Sequence, residues 1–148
     1  MNKYPVKTDD RIAAIWILRQ GGEALLQHRD DKPGLQDAGM WVPPGGHAER
    51  CETMADCARR ELREETEYND DALHFLMSRE RTSEDGITSQ ISYFWCLYDE
   101  IQSIVCHEGQ ALAFIQRSAA PNYSMPLHLL QMWDMAIAAS NEIKEKGN

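Results

Sequence analysis

The sequence predicts a single α/β domain, and three observations carry that expectation. Short strand-like apolar segments recur along the chain, a helix-period segment interrupts them near residue 54, and a second helical segment closes the sequence. No internal repeat, low-complexity tract or linker divides the 148 residues, of which 43% are apolar. A disordered chain would not carry that apolar fraction, and a chain of this length can bury a core of its own.

The elements follow in order. Arg11 to Leu18 is a continuous apolar run; Gly21-Gly22 breaks it, and Glu23 to His28 resumes as a second strand. Asp30 to Gly46 has loop chemistry, with Pro33-Gly34, Gly39 and Trp41-Val42-Pro43-Pro44-Gly45-Gly46. Such a loop is a linker or a site, and the apolar Met40, Trp41 and Val42 argue against a linker. Thr53 caps a helix running to about Thr66, with Asp56 in a capping-box position and Met54, Ala55, Ala58 and Leu62 on one apolar face. Strands are expected at Ala72 to Met77, Ile87 to Tyr98 and Ala111 to Ile115, the first two joined by a turn at Ser83-Glu84-Asp85-Gly86. A final helix, Met125 to Lys144, carries Leu127, Leu130, Trp133, Met135 and Ile137.

Composition excludes whole classes of partner. Lys+Arg 15 against Asp+Glu 24 gives a net charge of -9, with no basic excess to neutralise a nucleic-acid polymer or an anionic membrane. The expected partner is small, or cationic. Cys51, Cys57, Cys96 and Cys106 form no C-x-x-C pair, which predicts reduced thiols and a cytoplasmic location rather than zinc or disulfides. Met1 to Arg11 lacks the apolar stretch of a signal peptide, and the uncharged run Ile87 to Tyr98 is too short to span a bilayer.

The central helix breaks its own pattern. On a wheel of about 100° per residue with Glu61 at the origin, Met54, Ala58, Leu62 and Ala55 fall to one side. Glu65 lies between Met54 and Ala58, and Glu64 flanks Glu61 on the other side. These carboxylates enter or edge the arc that should be buried, while Arg59 and Arg63 lie opposite. They also sit near the negative end of the helix dipole. A cluster so placed needs a counter-charge, either Arg60 or a metal, and an all-oxygen donor set suits a hard divalent cation such as Mg²⁺ or Mn²⁺. Three glutamates within five helical positions are ordinarily just a solvated surface; their position on the apolar arc favours a site.

The whole segment then reads Gly46, five residues, Glu52, seven residues, and Arg60-Glu61-Leu62-Arg63-Glu64-Glu65-Thr66-Glu67-Tyr68. This resembles the box of the Nudix hydrolase family, G-x5-E-x7-R-E-U-x-E-E-x-G-U, where U is a bulky apolar residue. Every charged position matches, and the approach through Trp41 and Pro44-Gly45-Gly46 is similar to the family's. The departure is Glu67 in place of the glycine that ends the helix in a left-handed conformation, with Tyr68 for the aliphatic residue. Asn69 is a candidate to take over that cap.

The resemblance implies one Nudix domain over residues 1–148: an α/β/α sandwich with a central mixed sheet that hydrolyses a nucleoside diphosphate linked to another moiety. It implies that Glu61, Glu64 and Glu65 hold Mg²⁺ or Mn²⁺ together with the Gly45 carbonyl, and that Arg60 and Glu52 pair to fix the loop on the helix. Glu108 looks like the family's downstream acid, as a metal ligand or general base, or else a charged residue in the turn before Gly109. Arg29 is similar in placement to a residue that contacts substrate phosphate. His28, His47 and His107 lie near this region but read as supporting or surface residues, and Trp41 reads as packing. Tyr93-Phe94-Trp95 alternates across a strand, one side core and the other available to a base or sugar.

No proline follows the box before Pro121, and no tyrosine lies between Tyr68 and Tyr93, unlike the patterns of ADP-ribose and dinucleoside polyphosphate subfamilies. By exclusion the expected substrate is a nucleoside triphosphate, unmodified or oxidised, cleaved to the monophosphate and pyrophosphate. A nucleotide sugar is the alternative. A non-catalytic nucleotide sensor on the same fold is disfavoured by the complete set of box acids. A plain interaction domain would need Leu129, Met132 and Trp133 exposed; core or a homodimer contact suits them better.

Overall fold

The computed structural model describes residues 10–83 and 86–146, the last three by backbone alone. The N-terminal segment before Asp10, and Glu84 and Asp85 of the expected turn, lie outside the described residues. The strands are β1 Arg11–Leu18, β2 Ala24–His28, β3 Trp41–Val42, β4 Gly45–His47, β5 His74–Thr82, β6 Thr88–Leu97 and β7 Ala111–Ile115. The helices are α1 Met54–Thr66 and α2 His128–Lys146, with a 3-10 turn at Arg117–Asn122.

β1 pairs with β6 in parallel along its whole length, from Arg11 opposite Gln90 to Leu18 opposite Leu97. β5 adds antiparallel to β6 at the edge. β1 meets β2 only at Leu18 opposite Ala24. Beyond that point the two strands part: β4 lies along β1, β3 along β2, and β7 takes the other edge of β2. The backbone joining β3 to β4 is itself bound in, because Ile15 N–H donates to Pro44 O at 2.9 Å. The gap between diverging strands is where the loop rich in Gly and Pro enters the sheet.

β1 is apolar at every position after Arg11 because both its faces are covered. Ala13, Ile15 and Ile17 pack against Cys57, Ala58 and Leu62 of α1. Ala14, Trp16 and Leu18 pack on the opposite face with Leu129, Met132, Trp133 and Ala136 of α2. Helices on both faces of a mixed sheet make the α/β/α sandwich. Trp133 anchors α2, stacking on Trp16 with ring centroids 5.9 Å apart and donating from Nε1 to Gly22 O at 2.8 Å. Leu129, Met132 and Trp133 are therefore core, which removes the exposed helix that an interaction domain required.

Some boundaries differ from expectation for physical reasons. Residues 41–47 contain two short strands, because Gly45 can lie against β1 where a side chain could not. β5 runs to Thr82 rather than stopping at Met77; its second half, Arg79-Glu80-Arg81, is polar and so lacks a strand's apolar signature. α2 begins at His128, since Pro126 disfavours helical geometry at Met125. Tyr93-Phe94-Trp95 alternates across β6 as expected: Phe94 packs under α1, Tyr93 and Trp95 pack under α2, and on that side Tyr93, though buried, also lines a cavity.

Candidate functional site

α1 begins as its sequence dictates, with Thr53 Oγ1 accepting from Asp56 N at 3.1 Å. Its end corrects one expectation. Glu67, not Asn69, adopts the left-handed conformation, at φ 63° and ψ 10°, and its N–H donates to Arg63 O at 2.9 Å. The next residue forces the turn there: Tyr68 is fully buried, its hydroxyl accepting from Asp99 N at 2.9 Å and donating to Leu97 O at 3.3 Å.

The freed carbonyls at this helix end are used to build the site. Val105 N–H and His107 N–H donate to Thr66 O and Glu65 O, each at 3.0 Å, and Gln27 Nε2 donates to Glu108 O at 2.9 Å. Together they draw the loop before β7 across the end of α1 and bring the Glu108 carboxyl within hydrogen-bonding reach of Glu65. Gln27 is itself 3% exposed, a buried polar residue whose value to the site lies in holding this loop.

Glu65 is 4% exposed and its Oε2 accepts from Gly45 N at 3.0 Å. Burial, followed by the adjacent Glu108 and Glu61 carboxylates, pushes its carboxyl up to about 9. Burial likewise raises Glu61 from the usual carboxylate range, against the opposing pull of Arg60. The two box-side glycines do different work. A Cβ at Gly45 would lie 2.0 Å from Ala13 O, so this glycine permits the β1–β4 pairing; one at Gly46 would lie 2.4 Å from the Glu61 carboxyl, so this glycine makes room for the acid.

Arg60 is the hub of the box. Its Nε and one terminal nitrogen grip both oxygens of Glu52 at 2.8 and 3.0 Å, fastening the 47–52 loop to the helix, and the same end reaches His47 O at 3.0 Å. Its other terminal nitrogen donates to Glu61 at 2.9 Å and to Glu64 at 3.1 Å. This grip holds the Glu52 carboxyl below its ordinary range.

The structure thus gathers Gly45, Glu61, Glu65 and Glu108, and leaves Glu64 on the outer side, half exposed on Arg60. Among the described residues no three acidic, histidine or cysteine side chains converge tightly enough to chelate an ion. The donor chemistry nevertheless fits a hard divalent cation: the oxygens are all carboxylate or carbonyl, and among the described residues Glu65 is buried with no cationic side chain bonded to it and the only guanidinium on Glu61 is shared with Glu52 and Glu64.

Beside this cluster opens a cavity of about 450 Å³ on the α2 side of the sheet, with Gly45, Gly46 and Glu108 on its rim. Arg29 extends into it from the end of β2, and its Nε is buried without a hydrogen-bond partner. The sequence did not mark Arg79 and Arg81, which also line the cavity; their spacing of two on a strand puts both on one face and was the available signal. His47 sits exposed on the rim, His107 pairs with Glu67, and His28 stacks on Trp41 at 4.6 Å. Trp41 is packing, held between His28 and the edge of Tyr123.

The family model for the NUDIX domain matches residues 8–114. Solved structures agree in fold. A MutT protein from Methanosarcina mazei aligns at a TM-score of 0.72 with 16% identity, covering 88% of this chain and 94% of its own. An Ap4A hydrolase from C. elegans gives 0.73 with 18% identity over 89% and 98%. The E. coli dihydroneopterin triphosphate pyrophosphohydrolase gives 0.71 with 20% identity over 90% and 99%. With its box complete in every charged position, the chain belongs to the Nudix hydrolase family, whose members act on phosphorus-containing acid anhydrides.

Proposed function

We propose that the protein cleaves a nucleoside triphosphate, unmodified or oxidised, to the nucleoside monophosphate and pyrophosphate with Mg²⁺ or Mn²⁺. The observation that carries this reading is the buried Glu65 carboxylate on Gly45 N–H, with Glu61 and Glu108 beside it and no cation of its own. In this reading Glu61, Glu64 and Glu65, the Gly45 carbonyl and Glu108 hold the metal. When bound, the cation neutralises the diphosphate and lowers the pKa of the attacking water.

The protein's own groups do the rest. Glu108 or one of the helical glutamates accepts the proton released by the water. Arg29, with its unpartnered Nε at the cavity wall, donates to a phosphate oxygen. Arg60 does not touch substrate; it keeps Glu61 and the 47–52 loop in place while the dipole of α1, adverse to carboxylates at its C-terminal end, is offset. Gly46 keeps the space beside Glu61 clear.

A phosphate-release screen with Mg²⁺ over nucleoside triphosphates, nucleotide sugars, ADP-ribose and dinucleoside polyphosphates tests the reading. The triphosphates are expected to turn over fastest and EDTA to stop the reaction. Preferential hydrolysis of a nucleotide sugar would replace the substrate, and nucleotide binding with no hydrolysis anywhere in the panel would replace the reaction.

A further inference from the structure

The cavity extends well past the acidic cluster, and its far end is built from cations. Across the sheet, His47 of β4 lies opposite Ile12, Ile12 opposite Ile91, and Ile91 opposite Arg79 of β5. Three strand steps of about 4.8 Å put the backbone of β5 about 14 Å from that of β4. Arg79 and Arg81 project from this edge strand into the cavity, where Tyr93 and His128, the first residue of α2, also face.

Among the described residues these arginines have no acidic partner: neither forms an ion pair, and Arg81 Nε is buried with no hydrogen-bond partner. Arg79 donates instead to His128 Nε2 at 2.6 Å, which keeps the imidazole neutral, because a guanidinium carries donors only. Among the described residues Asp37 is the one carboxylate lining this end, set against two guanidinium groups. The N-terminal end of the 19-residue α2 adds positive potential in the same direction. In a chain of net charge -9, an uncompensated cationic wall inside a cavity is costly unless a ligand supplies the anion.

We propose that Arg79 and Arg81, at the mouth of α2, form a second anion subsite that holds a phosphate other than the two joined by the cleaved bond. It rests on the reading of the site as a nucleotide pyrophosphohydrolase and narrows the substrate to one bearing that extra phosphate. Its source is either the terminal phosphate of a triphosphate or a phosphate carried on the remote sugar.

Two matched pairs separate these sources: a nucleoside triphosphate against its diphosphate, and NADPH against NADH. Dissociation constants are measured by calorimetry with Mg²⁺ on Glu65→Gln protein, whose expected loss of turnover keeps the nucleotides intact. The phosphate-bearing member of one pair is expected to bind about tenfold or more tightly, as for charge-assisted hydrogen bonds. The pair that discriminates names the source. Adding Arg81→Gln or Arg79→Gln should bring that ratio close to one, leaving binding of the partner without the phosphate within about twofold. Arg81→Gln breaks no hydrogen bond at Nε and removes an uncompensated charge, so its melting temperature should not fall.

Equal binding within both pairs, no binding of any member, or a ratio that survives both substitutions in folded protein overturns the subsite. Turnover by the unsubstituted protein is scored separately. Its absence across the panel sinks the hydrolase reading, while the calorimetric ratio still decides the subsite.

Discussion

The two faces of the sheet are charged in opposite senses. On the α1 side, Glu61, Glu64, Glu65 and Glu108 crowd one helix end, and the single guanidinium among them, Arg60, is already committed to Glu52. On the α2 side, Arg29, Arg79 and Arg81 line one cavity with Asp37 as their near acid, and two of their Nε atoms are buried without partners. Neither arrangement helps the protein fold. Glu108 reaches the rim of the same cavity, yet among the described residues no ion pair joins these acids to these arginines. What relieves both at once is a ligand with the reverse order of charge: a divalent cation toward α1 and phosphate groups toward α2. The net charge of -9 therefore describes two separated demands rather than one uniformly repellent surface.

The largest effect expected is on the acidic face. Glu65→Gln or Glu61→Gln should lower Mg²⁺-dependent turnover about a thousandfold or more, the scale of losing metal-based charge stabilisation. Folding should survive, since each change replaces an incompletely compensated carboxylate with a neutral isostere of the same size. Circular dichroism with a melting curve checks the fold, and phosphate release checks the rate. Near-normal turnover in either variant would show that the acidic face is not where the metal acts.

Arg60 should behave in the opposite way, as a stability residue first. Arg60→Ala leaves Glu52, 12% exposed, and Glu61, 14% exposed, without their shared cation. Breaking a mostly buried pair from one side costs about 3 kcal/mol. Urea denaturation of the metal-free protein should register that loss, whereas Arg81→Gln on the other face should not lower the midpoint. A small loss at Arg60 would mean that the acids are already solvated.

This asymmetry also explains what could be read from the residues alone. The acidic face is a local object: Glu52, Arg60, Glu61, Glu64 and Glu65 lie within one loop and one helix, so helical periodicity and fixed spacing expose them. Glu108 sits outside that segment, and what places it is a loop bonded to carbonyls of Glu65 and Thr66, which no spacing in the sequence encodes. The cationic face is assembled from β2, β5 and α2, whose contact depends on the order of strands in the sheet. Arg29 was found because it borders the loop, whereas Arg79 and Arg81 were lost in a strand whose second half alternates charge with charge. Core positions were easier, because β1 declares burial on both faces by being apolar throughout.

Acid should weaken the acidic face through its structural pair. Arg60 holds the folded Glu52 carboxyl below its ordinary value of 4.5. A depressed folded pKa contributes stability that is present above the unfolded value and is lost as the pH falls through the folded one. The difference in melting temperature between the unsubstituted protein and Glu52→Gln should therefore be constant near neutrality and shrink once the pH drops below about 4.5. A gap that persists at pH 2 would assign the effect of Glu52→Gln to packing rather than to the charge pair.

The smallest effect concerns the residue that stands where the box ordinarily has glycine. Glu67 holds φ 63°, a conformation that costs an L residue about 1 kcal/mol or more relative to glycine, and it adds a carboxylate to the negative end of α1. Its return contact with His107 is half exposed on both sides and compensates little. Glu67→Gly should then raise the unfolding free energy by up to about 1 kcal/mol, because the backbone strain is removed while the Tyr68 anchor that dictates the turn remains. Turnover should be unchanged, since the carbonyls that hold the Glu108 loop belong to Glu65 and Thr66. A loss of activity without a loss of stability would mean instead that the Glu67–His107 contact, and not those backbone bonds, sets the position of Glu108 against the helix.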